Sequence, residues 1–160
     1  MRTSIVDADL DDPSHSQGIL EVLDSYSREA VGGGRPLAAD VRSRLVSALK
    51  RQPNAIVLLA IESMRPVGAA ICFVGFSTFA ARPVLNIHDL AVLPELRGAG
   101  IGTSLLEAAS ARARELDCCK LTLEVRQDNE GALALYRRFG FGHFAAGASP
   151  TPTLFLEKRL

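Results

Sequence analysis

The chain has 160 residues, 48% of them hydrophobic, with 18 basic side chains against 18 acidic ones and a formal net charge of zero. That length suits one domain around one core, and the charge balance lacks the basic excess of a nucleic-acid binder. No run approaches the ~18 apolar residues of a membrane span, and the start, with Asp7, Asp9, Asp11 and Asp12 close behind Arg2, has neither the basic nor the apolar region of a signal peptide.

A single cytoplasmic domain over residues 1–160 is therefore expected, with neither nucleic acid nor membrane as a partner. Thr3 to Ala8 alternates weakly, as a first strand would. Asp12-Pro13 then starts a helix, with proline at the first helical position. Ile19, Val22, Leu23 and Tyr26 recur at helical spacing until Gly32-Gly33-Gly34 breaks the pattern. That triplet reads equally as a mobile lid or as a plain flexible connection. A second helix is expected from about Leu37 to Arg51, with Val41, Leu45 and Leu49 on one stripe.

Ala55–Ile61 and Val67–Val74 are apolar runs of strand length joined by Met64-Arg65-Pro66, which predicts a hairpin. Phe76 to Pro83 reads as the end of the third strand plus a loop, with Phe76 and Phe79 expected chiefly in the core, an acceptor pocket or a dimer contact being the alternatives. Leu85 to Val92 is a fourth, buried strand. Beyond a Gly-rich link, Leu105, Leu106, Ala109, Ala113 and Leu116 form the buried stripe of a helix ending near Asp117. Leu121 to Val125 reads as a fifth strand. A helix after Asn129 follows, with Ala132, Leu135, Tyr136 and Phe139 on one face, closed by Gly140. Thr153 to Glu157 is the expected last strand. Cys72 lies in an apparent strand, and Cys118 and Cys119 are adjacent without metal-type spacing, so structural thiols and no metal are expected.

The link itself, Arg97-Gly98-Ala99-Gly100-Ile101-Gly102-Thr103, has glycines at alternate positions directly before an amphipathic helix. Glycines let a backbone approach an anion closely, and the first turn of a helix offers unpaired N–H groups at its positive end. The spacing fits neither nucleotide motif. Counted from Gly98 the third glycine of a dinucleotide fingerprint would fall on Thr103, and counted from Gly100 on Leu105; a P-loop would need a lysine, which is missing.

Arg97-x-x-Gly100-x-Gly102, with Leu90-Ala91-Val92-Leu93-Pro94-Glu95-Leu96 ahead of it, resembles the acetyl-CoA-binding signature of the GNAT superfamily of N-acetyltransferases. Asn129 and Tyr136-Arg137-Arg138-Phe139-Gly140-Phe141 resemble that family's second motif block, so the likeness runs from about residue 84 to 142. It implies an α/β fold: a mixed, mostly antiparallel sheet, splayed between strands four and five, with helices on both faces. It also implies acetyl-CoA as co-substrate, bound by Leu90, Ala91 and Val92, by the loop residues Arg97, Gly98, Ala99, Gly100, Ile101, Gly102 and Thr103, and by Asn129 and Tyr136. A homodimer and an amine acceptor follow from the same likeness, nearest to small-amine and polyamine acetyltransferases.

The chemistry then sorts the remaining candidates. An alkyl ammonium with a pKa near ~10.4 is only about one part in 10³ neutral at pH 7, a disadvantage of roughly 4 to 5 kcal/mol, so a base or a water chain to one would help. His88 and Asp89 precede Leu90, and Glu124 lies on the adjoining strand. Successive strand residues face opposite ways, so His88 and Asp89 cannot both address one acceptor without a bulge. His88 as base or water-holder, Asp89 as binder of the amine's charge and Glu124 as a third carboxylate stay open beside structural roles for each. The family resemblance gives Tyr136 the general acid's place, returning a proton to the thiolate of coenzyme A. His15 and His143 are read as surface residues. A protein amino group as acceptor, a non-catalytic acyl-CoA sensor and a nicotinamide-dependent oxidoreductase using Glu124 are the competing functions.

Overall fold

The computed structural model describes residues 3–142 and 156–158. Along the chain it forms β1 (Ser4–Asp7), α1 (Pro13–Arg28), a 3-10 turn (Ala30–Gly32), α2 (Ala39–Lys50), β2 (Ala55–Glu62), β3 (Arg65–Ser77), β4 (Arg82–Val92), a second 3-10 turn (Pro94–Leu96), α3 (Ile101–Glu115), β5 (Leu121–Leu123) and α4 (Glu130–Phe139). The strands make one sheet in the order β1-β2-β3-β4-β5. The first three pairings are antiparallel and β4–β5 is parallel.

Helix α1 starts where its residues dictate. Pro13 occupies the first turn, where no intrahelical N–H bond is lost, and the Asp12 carboxylate accepts from the amides of Ser14 at 2.7 Å and His15 at 3.4 Å. Its stripe of Ile19, Val22 and Leu23 is buried against the sheet. Gly18 permits that contact, because a Cβ there would lie 2.3 Å from Pro66 Cβ on β3. Helix α3 covers the opposite face with Ile101, Leu105, Leu106, Ala109 and Ala113, meeting β3 at Gly68, where an added Cβ would stand 3.3 Å from Leu105 Cδ1. Fully buried side chains such as Ile19, Leu59, Leu85 and Leu105 each contribute about 1.5–3 kcal/mol. Helix α2 is peripheral: Leu49 is buried, but Val41 and Leu45 are only half-buried.

Several expectations need correction. The glycine triplet folds back onto the end of α1, with the amides of Gly32 and Gly34 returning to the Glu29 carbonyl and that of Arg35 to the Ser27 carbonyl. Met64-Arg65-Pro66 is not the hairpin link: Arg65 and Pro66 already pair with Glu62 and Ile61, and the turn is Ser63-Met64, both at positive φ, as a two-residue hairpin turn requires. Phe76 to Pro83 is the end of the third strand and a short turn as expected, only Arg82 and Pro83 belonging already to β4, with Phe76 opposite Pro83 and Ser77 opposite Arg82. At this hairpin's tip the sheet outruns the helices that cover it. Phe76 is consequently 64% exposed and Phe79 wholly so, outside the core. Leu116 leaves the buried stripe for the same kind of reason, lying past the last turn of α3 and 39% exposed. The last strand expected over Thr153–Glu157 falls largely outside the described residues, as does His143. His15 accepts the Asp9 amide at Nδ1, 3.0 Å, as part of the turn into α1.

Candidate active site

The site arises where the sheet stops being continuous. Pairing of β4 with β5 runs from Leu85–Leu121 to Ile87–Leu123 and ends there. From His88 onward β4 keeps only its partner on the other side, with Leu90, Ala91 and Val92 opposite Ala70, Ala69 and Gly68 of β3. The freed edge opens into a cleft of about 400 Å³, walled by Leu90, Ala91 and Val92 on one side and by Asn129, Leu135 and Tyr136 on the other.

The Gly-rich loop closes one end of this cleft. Gly98 and Gly100 adopt φ of 82° and 86°, the left-handed region, and a Cβ built on either would meet nothing within 4 Å. Gly100 is the N-cap of α3 and offers no side-chain acceptor, so the first amides of that helix remain open to an anion. Gly102 serves packing instead: its Cβ would lie 3.0 Å from Leu135 Cδ2, where α3 meets α4. Arg97, Gly98, Gly100, Ile101, Gly102 and Thr103 all line the cleft, whereas Ala99 is not among its lining residues. The Arg97 side chain is committed elsewhere, with Nε donating to the Val92 carbonyl at 3.0 Å and both terminal nitrogens donating to the Glu29 carboxylate.

A second cleft of about 510 Å³ adjoins the first and shares Tyr26, Val31, Leu90, Asn129, Ala132 and Tyr136 with it. His88, Asp89 and Glu124 all line this second space. They meet there because of a bulge: Ile71 pairs with Asp89 and the next residue, Cys72, with Ile87, so His88 is an extra residue without a partner. His88 is exposed, with its ring edge-on to Phe73 at 5.5 Å. Asp89 is half-buried, and desolvation pushes its carboxyl above the usual carboxylate range, against the opposing influence of His88. Glu124 is exposed, just past the end of β5. Arg126, on the same wall, is turned onto Asp128 at 2.7 Å.

Tyr136 stands between the two spaces and is 8% exposed. Burial, with a smaller contribution from Tyr26, pushes its phenol up to about 12. Asn129 caps α4, its Oδ1 accepting from the Ala132 amide at 3.3 Å. The family resemblance places the region of the first two helices beside the acceptor site, but sequence reasoning missed Tyr26 and Glu29 as lining residues. Tyr26 lines both clefts, and desolvation, then the charges of Asp89 and Glu29, raises its phenol above the ordinary value. Glu29, at the end of the same helix, forms part of the first wall. Tyr26 fits the apolar stripe of α1, so periodicity accounts for it without a site. Only the fold brings it opposite β4.

Cys72 is wholly buried with its thiol pushed up to about 12, and neither it nor Cys118 nor Cys119 lines these clefts. Among the described residues no group of His, Cys, Asp and Glu is arranged to hold a metal, and no helix is long and apolar enough to cross a membrane.

A split strand edge, open helix-terminal amides and a tyrosine between two joined clefts are the features the Gly-rich motif resembles in sequence, and the family comparison agrees. The acetyltransferase (GNAT) family model matches residues 19–141; the chain belongs to this family. An uncharacterized N-acetyltransferase of Methanocaldococcus jannaschii is 33% identical over 94 residues, 58% of this chain and 41% of that one. An N-alpha-acetyltransferase of Arabidopsis thaliana is 35% identical over 86 residues, 54% and 44% of the two chains. A thialysine N-epsilon-acetyltransferase of Bos taurus is 32% identical over 74 residues, 46% and 43%. The matches thus span under half the length of each of these relatives. Among solved structures, that of a probable acetyltransferase superposes with a TM-score of 0.79 over 99% of both chains at 19% identity, a likeness of fold.

Proposed function

We propose that this protein is an N-acetyltransferase that moves the acetyl group of acetyl-CoA to a primary amine of a small molecule by direct attack in a ternary complex. The observation that carries the reading is the bulge at His88, which turns both His88 and Asp89 into the cleft that ends at Tyr136. Family membership supports acetyl-CoA as co-substrate, and the first cleft fits it. The amides from Gly98 to Thr103 would hold pyrophosphate, and the free edge at Leu90–Val92 would hold the pantetheine arm and the thioester oxygen, an oxyanion-hole arrangement. Asn129, with Oδ1 engaged in the cap, keeps its amide nitrogen for the same arm.

Asp89 provides the preference for a cation. A carboxylate raised by desolvation gains most from a positive neighbour, so it would draw in an ammonium; because the same charge favours the protonated amine, a separate base has to take the proton before attack. His88, exposed at the outer end, would pass that proton to water directly or through an ordered chain. Glu124 adds negative charge at the rim. Tyr136 would give its proton to the departing sulfur. Against a free thiol near ~8.5, a phenol near 12 faces an uphill transfer of roughly 5 kcal/mol. The same low-polarity surroundings raise the thiol as well, which narrows the gap.

Asp89 and Glu124 in the lining of the second cleft, where Arg126 is turned onto Asp128, support a cationic acceptor, in line with the thialysine named for the bovine relative. An α-amino group of a peptide is the second reading, supported by the name of the Arabidopsis relative. We extend the proposal to a homodimer, as the family resemblance implies, acting in the cytoplasm, as the sequence's lack of a span or signal pattern suggests. The deciding experiment is thiol release from acetyl-CoA with diamines, polyamines, arylalkylamines, amino acids, an aminoglycoside and short peptides. Turnover confined to peptides would replace the small-amine reading, and binding of acetyl-CoA with no turnover on any acceptor would point to a sensor.

A further inference from the structure

Glu29 is a junction between parts of the site that are far apart in sequence. Its backbone carbonyl takes the amides of Gly32 and Gly34, and its own amide donates to the Tyr26 carbonyl, so it shapes the segment that carries Tyr26 and Val31 into both clefts. Its carboxylate receives the Arg97 fork, with Nη1–Oε2 at 2.8 Å, while Arg97 Nε holds the Val92 carbonyl at the end of the split strand. Three of the five guanidinium donors are thereby occupied and the charge is matched by a carboxylate. The pair is only partly exposed, 43% for Arg97 and 27% for Glu29.

We infer that Glu29 is a positioning residue: through Arg97 it fixes the Gly98–Gly102 loop, the end of β4 and the α1 wall as one unit. The inference rests on the reading that the first cleft takes coenzyme A. Arg97 then acts by holding Glu29 and Val92, and the loop amides carry the phosphate contact. An arginine that instead served the phosphates as a free charge would be hindered by Glu29 and improved by its removal.

Calorimetric titration with coenzyme A separates the two. Glu29→Gln should weaken binding about fivefold or more, a coupling of the ordinary allosteric size. Arg97→Lys should match that loss, because lysine keeps the charge but makes neither the fork nor the Nε bond. The double variant should be no worse than either alone. In hydrogen exchange, coenzyme A should slow the amides of Gly32, Gly34 and Arg35 in the wild type but not in Arg97→Lys. Unchanged or tighter binding by Glu29→Gln, full affinity in Arg97→Lys, additive losses in the double variant, or no wild-type slowing would each overturn the inference. Failure of the wild type to bind coenzyme A at all would overturn the coenzyme reading beneath it, and the inference with it.

Discussion

Tyr136 and Asp89 carry the sharpest consequences at the scale of single residues. Tyr136→Phe removes the hydroxyl of the proposed proton donor while keeping the ring that packs edge-on to Phe141 at 5.8 Å. We expect kcat to fall about 10²–10⁴-fold with the calorimetric affinity for acetyl-CoA within a factor of two or so; a loss of affinity without loss of kcat would remove the general-acid assignment. Asp89→Asn should divide stability from activity. A carboxyl whose folded pKa is raised above its unfolded value of 3.8 resists ionisation in the native state. The resulting cost is absent below that unfolded value and fully present above the raised one, so the wild type loses stability as pH rises between them. The asparagine variant should therefore melt higher than the wild type at pH 7 and at the same temperature near pH 3. Its turnover should drop, and the acid limb of the wild-type rate profile, placed above the ordinary carboxylate range, should vanish. Equal melting curves at both pH values would show that Asp89 is not buried at a cost.

At the scale of elements, close approach and a register break shape the site. Helix α1 can bring Tyr26 opposite β4 only because Gly18 lies against Pro66. The β-carbon of Gly18→Ala would sit 2.3 Å from Pro66 Cβ and Cγ, an overpacking that costs about 1–3 kcal/mol. Urea unfolding should show that loss. Since α1 must move to relieve the clash, KM for the acceptor should rise more than KM for acetyl-CoA. The bulge in β4 works by register: one extra residue lets the consecutive His88 and Asp89 both line the second cleft while Leu85 stays in the core. The tyrosine's own helix is short, and its anchoring comes from the Asn129 cap, the Gly140 C-cap at φ 98° and the contact with α3 at Gly102.

For the whole molecule, the cleft runs between two halves of a sheet joined by only three parallel pairs. A ligand that bridges the Gly-rich loop, the edge of β4 and α4 would tie those halves together. Acetyl-CoA at one hundred times its dissociation constant adds about 2.7 kcal/mol by mass action. For a chain of this size that corresponds to a rise of roughly 5–10 °C in melting temperature. NAD at the same concentration should leave the melt unmoved. A shift with NAD and none with acetyl-CoA would revive the oxidoreductase reading that the glycine spacing opposes.

The Gly-rich loop, Asn129 and Tyr136 were legible because their chemistry depends on local sequence: a positive φ needs glycine, a cap needs a short acceptor, and a helix start follows both. The order of strands and the buried stripes of α1 and α3 were legible through period, since burial of one face repeats every 2 or 3.6 residues. Other features depend on residues far apart in the chain. Whether Phe76 and Phe79 are covered depends on how far α1 and α3 reach along the sheet. Whether His88 and Asp89 face the same way depends on a bulge set by pairing with Ile71 and Cys72. Whether Arg97 meets a phosphate or a carboxylate depends on Glu29, 68 positions away. The sequence by itself determined most of the elements and the Gly-rich turn ahead of α3, because those are written in neighbouring residues. Only the tertiary structure assembled the second cleft, because its walls come from α1, β4, β5 and α4, and no local pattern encodes where four separate elements converge.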